Sequence, residues 1–202
     1  MVRAFLLAVM PFRFNSDIHH RRSIRLAAYD YSKAGAYYVT VCSQDRECLF
    51  GSAVGGETKL NEPGRMVERW WLKLNAKFEN VETDAYVVMP NHFHGIIIIN
   101  NPALCVGAAP CGRPNQSAGK GHPHGGAPTL GNIMDWFKTM TTNEYIRRIK
   151  SNNWPPFNKR LWQRNYYEHV IRSETELGKI REYIEGNPAQ WNEDEYHPEQ
   201  II

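Results

Sequence analysis

The sequence predicts an α+β fold built on an antiparallel sheet, and three observations carry that prediction. Strand-like and helix-like segments follow one another in the order strand, helix, two strands, helix, helix. The two adjacent strand runs are separated by only a short breaker around Pro90-Asn91, a connection that suits an antiparallel hairpin. The helical segments carry apolar residues at intervals of three and four and begin at residues that cap helices.

The first strand is Tyr37-Tyr-Val-Thr-Val-Cys42, β-branched and aromatic, with Gly35 ahead of it. From Glu62 to Phe78, Met66, Val67, Trp70, Trp71, Leu74 and Phe78 recur at helical spacing, and Pro63 suits a first turn. Ala85–Met89 and Gly95–Ile99 form the hairpin, with His92 and His94 at its second arm. Between residues 100 and 128 the composition shifts to Gly, Pro, Ala and Ser, which reads as a flexible insertion. Thr129 caps a second helix whose apolar face is Ile133, Met134, Phe137, Met140, Tyr145, Ile146 and Ile149. Beyond Pro155-Pro156 comes Leu161-Trp-Gln-Arg-Asn-Tyr-Tyr-Glu-His-Val-Ile-Arg172, rich in aromatics and cations. Ser173 and Glu176 make a capping box for the last helix, Leu177, Ile180 and Ile184 its buried stripe, and Gly186 with Pro188 its stop. The organisation expected is a flexible extension over 1–20, a single domain over 21–191 and a tail over 192–202.

With 202 residues, 42% of them hydrophobic and 12% aromatic, the chain can bury one substantial core. A formal charge of +3 permits a nucleic-acid partner without requiring one. Four cysteines in a chain of this length do not make a disulfide scaffold, and no secretory signal is visible, so a reducing cytoplasm is the expected home. The apolar run after Met1 is too short to cross a bilayer, and no membrane partner is expected.

Alternate residues of a strand share a face, so His92 and His94 can present two imidazoles together while Phe93 faces the core. That arrangement suits two ligands of one divalent cation; a surface or hydrogen-bonded pair is the other reading of a His-x-His triplet. Tyr183 shares a helix face with Lys179 and Asn187, and reads either as a phenol beside a metal or as the rim of the apolar stripe. Cys105 and Cys111 with His122 and His124 match no common structural zinc spacing. Arg21, Arg22, Arg25, Lys159, Arg160, Arg164 and Arg172 can grip phosphates, and the interleaved Trp162, Tyr166 and Tyr167 can stack on unpaired bases or fill the core.

Three segments in order, Tyr86-Val-Val-Met-Pro-Asn-His-Phe-His-Gly95, Leu161–Arg172 and Tyr183-Ile-Glu-Gly-Asn-Pro188, resemble the single-tyrosine transposases of the HUH nuclease superfamily, specifically the REP-associated tyrosine transposases. Arg21-Arg-Ser-Ile-Arg-Leu26, Tyr29-Asp-Tyr31 and Thr129–Ile133 add to the likeness, which covers the chain from about Arg21 to Trp191. The resemblance implies a ferredoxin-like antiparallel sheet with helices packed mainly on one face. It implies His92 and His94 as metal ligands, Tyr183 as nucleophile, and Asn187 as a third ligand where related insertion-sequence transposases carry Gln. Pro188 biases Asn187 away from helical geometry, which sets that ligand apart from the others.

The activity implied is cleavage and rejoining of single-stranded DNA at palindromic hairpins, through a 5′-phosphotyrosine and a free 3′-hydroxyl, with Mg2+ or Mn2+. The expected partner is single-stranded or hairpin DNA, gripped by Arg21, Arg22, Arg25, Trp162, Arg164, Tyr167 and Arg172, with the protein acting as a monomer or a homodimer. Two other functions remain open on sequence: a replication initiator or relaxase-like nickase with the same chemistry, and a non-catalytic module that binds single-stranded nucleic acid on its sheet.

Overall fold

A computed structural model describes residues 30–31, 33–100 and 128–200. Its main sheet holds four antiparallel strands in the order β4-β5-β1-β6, formed by β1 (Gly35–Cys42), β4 (Val81–Val88), β5 (His92–Ile99) and β6 (Tyr167–Ile171). A small hairpin of β2 (Gly51–Val54) and β3 (Glu57–Leu60) stands apart. The helices are α1 (Glu62–Leu72), α2 (Leu74–Lys77), α3 (Leu130–Asn152) and α4 (Glu174–Gly186). Taken without the small hairpin, the path is strand, helix, strand, strand, helix, strand with the first and third of these strands central, which is the ferredoxin-like arrangement.

The pleat divides the core in two. Tyr37, Val39, Val41, Phe93 and Ile97 face one side of the sheet and pack against α1, α2 and α3 through Met66, Trp71, Leu74, Ile133 and Phe137. Tyr38, Ile96 and Ile171 face the other side, where Leu177, Ile180 and Ile184 of α4 cover them. Three helices thus share one face, as expected, and α4 is the exception. His92 and His94, on the alternate positions of β5, point to the α4 side.

Gly95 follows the histidines because Trp71 lies on the strand there. A Cβ at Gly95 would stand 2.5 Å from Trp71 and 2.8 Å from Phe93, so no larger residue fits without moving the core. Trp71 and Phe93 meet with ring centroids 4.5 Å apart, which anchors the residue between the histidines on the helical side.

Several elements differ from the sequence expectation. The segment 62–78 is two helices, since Lys73 ends α1 and α2 restarts at Leu74. The β2–β3 hairpin turns on Gly55 and Gly56, both at positive φ, a two-residue glycine turn that the sequence reading passes over. Tyr167–Ile171 is a strand because it pairs with β1. Ser173 caps α4 by accepting from the backbone of Glu176, but the Glu176 carboxylate turns to the Arg172 N–H and His169 instead of closing the box. Pro188 does not eject Asn187 from helical geometry: Asn187 has φ −60° and ψ −41°, and the chain runs on as a 3-10 turn over Asn187–Glu193. Proline is tolerated there as the first-turn residue of the new segment.

Candidate active site

Both histidines are fully buried, and each is held by its Nδ1. His92 Nδ1 lies 2.9 Å from Asn91 Oδ1. The Asn91 amide donates from Nδ2 to the carbonyls of Arg46 and Tyr196, which fixes its orientation and leaves Oδ1 able only to accept. Nδ1 of His92 therefore carries the ring proton, and Nε2 keeps a lone pair. His94 Nδ1 sits 2.7 Å from the Tyr38 hydroxyl and 2.8 Å from Thr40 Oγ1, its cross-strand neighbour. Such oriented contacts on the far ring nitrogen are the usual support of a metal-bound imidazole.

The Nε2 atoms of both rings are buried without a hydrogen-bond partner, and so is Oδ1 of Asn187. Asp194 faces them: its Oδ2 lies 4.0 Å from His92 Nε2 and accepts from Asn187 Nδ2 at 3.1 Å, while its Oδ1 accepts from the Tyr196 N–H. Ligand atoms of His92, His94 and Asp194 all lie within 4.8 Å of one another, a group that can hold a metal ion. Unpaired buried acceptors cost roughly 1–3 kcal/mol each, so this cluster of lone pairs fits a cation that would satisfy them together. Two imidazoles, a carboxylate and an amide oxygen together make a donor set for one divalent ion.

Burial keeps the imidazoles neutral, the form that ligates a metal. His94 is pushed down to about 3 by desolvation, and His92 falls well below the ordinary histidine value through burial and then the neighbouring His94. The Asp194 carboxyl is raised, first by burial.

Tyr183 reaches this cluster from α4. Its ring centroid is 5.5 Å from that of His94 and 6.3 Å from Tyr38, both edge-on. The helix is tied to the sheet by Arg181, which donates to Asp84 of β4 from Nε at 3.0 Å and Nη2 at 2.5 Å. Burial, then the carboxylates of Asp194 and Glu195, raise the Tyr183 phenol, while Tyr38 and Asn187 act the other way by favouring the phenolate. The packing and chemical readings of Tyr183 coexist: it borders the Ile180/Ile184 stripe and faces a histidine.

The other predicted contacts spread out. Trp162 is a correction: it is buried, donates from Nε1 to Thr141 Oγ1 and packs on Phe50 at 4.9 Å, so it belongs to the core and presents no ring to a base. Tyr167 is half-buried beside Tyr38 on the α4 side of the sheet. Arg164 and Arg172 are exposed. Arg21, Arg22, Arg25 and the Cys105/Cys111/His122/His124 group lie outside the described residues. Asp194, Asn91, Tyr38 and Thr40 are the site residues that the sequence reading missed. Asp194 falls in the segment read as a tail, where an acidic run offers no distinguishing signal. Among the described residues no helix is long and apolar enough to cross a membrane.

No model of a known protein family matches the chain. An uncharacterized protein of Haemophilus influenzae is 38% identical over 192 residues, covering 93% of this chain and 99% of that protein. Among solved structures, a REP-associated tyrosine transposase bound to a REP hairpin matches with a TM-score of 0.50 at 19% identity, covering 83% of this chain and 74% of the other. At that identity the likeness is one of fold. The chain belongs to one family with the Haemophilus influenzae protein, and its fold is like that of a REP-associated tyrosine transposase.

Proposed function

We propose that this protein is a metal-dependent DNA transposase that cuts and rejoins single-stranded DNA beside palindromic hairpins through a tyrosine-phosphate bond. One observation carries the reading: the unpaired Nε2 atoms of His92 and His94 are buried facing α4, and the Tyr183 ring meets His94 there at 5.5 Å. A binding module needs neither inward-facing lone pairs nor a phenol beside them. The hairpin-bound state of the fold relative supports a hairpin substrate here.

In this reading His92, His94 and Asp194 hold the cation, and Asn187 completes the set through Oδ1. A bound divalent ion supplies charge neutralisation on the non-bridging oxygens of the scissile phosphate. Tyr183 attacks phosphorus with its phenolic oxygen, the bond to the 3′-oxygen breaks, and the products are a 5′-phosphotyrosine and a free 3′-hydroxyl. The phenol's proton leaves and the departing 3′-oxygen gains one; because one phosphodiester replaces another, the transfer can run backwards onto another strand's 3′-hydroxyl. A buried, raised phenol is protonated at neutral pH, which makes proton removal part of the barrier. Tyr183 and the histidines of one chain already meet, which supports a site completed within a single protomer.

The test is incubation of purified protein with end-labelled hairpin DNA carrying a single-stranded flank, in manganese. Wild type forms a covalent protein-DNA adduct resistant to denaturant; Tyr183→Phe forms none. An adduct that persists in Tyr183→Phe rejects the nucleophile, and one that forms in chelator rejects the metal.

A further inference from the structure

Away from the histidines, on the α3 side of the sheet, a cleft of about 690 Å³ runs between α3 and the loop 157–164. One wall carries Asp135, Lys138, Thr139 and Thr142 at the three- and four-residue spacing of a helix face, with Asn143 beside them; the other carries Lys159, Arg160 and Arg164. Four cations face this space against one acid, Asp135. The whole chain has a surplus of only three positive charges, so the concentration is local. Thr139, Asn143, Lys159, Arg160 and Arg164 are all exposed.

The walls are stitched together. Lys138 Nζ donates across to the carbonyls of Gln163 at 2.7 Å and Arg164 at 2.9 Å. Its ammonium is pushed down to about 8, first by burial, with Arg160 acting in the same direction. The loop is also fixed to the end of β1: Gln44 N–H donates to the Leu161 carbonyl and Gln163 N–H to the Cys42 carbonyl, both at 2.9 Å. Cys42 is the register partner of His92. The loop wall of the cleft is therefore anchored both to α3 and to the end of β1.

We propose that this cleft is a second nucleic-acid subsite that takes the sugar-phosphate backbone of the DNA substrate. Guanidinium forks and a lysine suit successive phosphate oxygens, and the Thr139 hydroxyl and Asn143 amide add neutral donors. The open, charged shape suits a backbone better than a small apolar ligand. The inference rests on the DNA-processing reading above, and deepens it by separating grip from chemistry. The same phosphate chemistry is offered by the hairpin stem and by its single-stranded flank.

The experiment is fluorescence anisotropy in chelator with three labelled probes: a bare hairpin, a single strand, and the hairpin with its flank. Wild type is compared with Arg160→Gln/Arg164→Gln and with Asn143→Glu, which alter exposed side chains; unchanged melting temperatures confirm their folding. The expected result is affinity weakened about tenfold or more, and a salt dependence of log K shallower by about two in the double variant. Loss confined to the bare hairpin assigns the stem, and loss confined to the single strand assigns the flank. Affinity and salt slope equal to wild type on every probe overturn the proposal. Because no metal is present, the outcome is separable from the adduct test: variants that lose DNA affinity while wild type forms no adduct keep the cleft and sink the chemistry.

Discussion

His92 Nε2 and Asp194 Oδ2 face each other across 4.0 Å, the nitrogen without a hydrogen bond and the oxygen held by Asn187. A cation held between them would satisfy both groups. Asp194→Asn keeps the shape and removes the charge, and it is expected to weaken manganese binding by about 10- to 100-fold in a calorimetric titration. Equal affinity in the variant would take Asp194 out of the ligand set.

Asn91 orients His92 and also carries two backbone carbonyls. Asn91→Ala leaves those carbonyls and the ring N–H without their partner, so chemical denaturation should show a loss of roughly 1–3 kcal/mol. Manganese affinity falls with it, since the lone pair at Nε2 is no longer fixed. Metal binding at wild-type strength would mean that another contact sets the tautomer.

Acid should loosen the fold through the histidines. His92 and His94 are neutral when folded, with His94 at about 3, whereas the unfolded chain takes up protons below about 6.5. The unfolded state then binds more protons, so stability is fully present above about 6.5 and is lost as pH falls toward the folded values, by up to about 1.4 kcal/mol per pH unit per histidine. Asp194, raised by burial, works with the opposite sign in the carboxylate range, so the histidine slope is read most cleanly above about pH 5. Denaturation midpoints of the metal-free protein between pH 7 and 5 should fall steadily, and less steeply in His94→Gln. Superimposable slopes would mean that His94 is not neutralised by the fold.

Gly95→Ala forces a methyl group into Trp71 and Phe93. Overpacking of this kind costs about 1–3 kcal/mol, and the displaced strand carries His94 with it. A lower melting temperature together with weaker manganese binding is expected, and a variant as stable as wild type would show that Trp71 has room to move.

The sheet was legible because β1 and β5 are long, apolar and bounded by breakers, and the histidine face follows from the two-residue period alone. The helices were legible through Thr129 and Ser173, whose side chains accept from Asn132 and Glu176 as capping residues should. What stayed hidden depends on distant partners. β6 is a strand because β1 offers it an edge, and its mixed Tyr167–Ile171 composition shows no strand period of its own. Trp162 looked like a stacking residue because aromatic and basic neighbours surround it in sequence, whereas Thr141 and Phe50 claim it in space. Asp194 enters the site only because the chain continues past Pro188 as a tight turn, which a local rule about proline does not foresee.

The direction of β5 separates the histidines from the chain's long connection. His92 opens the strand and Ile99 closes it, so roughly 23 Å of strand separates His92 from the point where the Gly- and Pro-rich stretch begins. The chain re-enters at Leu130, whose N–H donates to the Tyr31 carbonyl near the Gly35 end of β1, the end that pairs with Ile99. Departure and return share the pole farthest from the chemistry. An insertion or deletion placed between these two points therefore acts far from the histidine cluster.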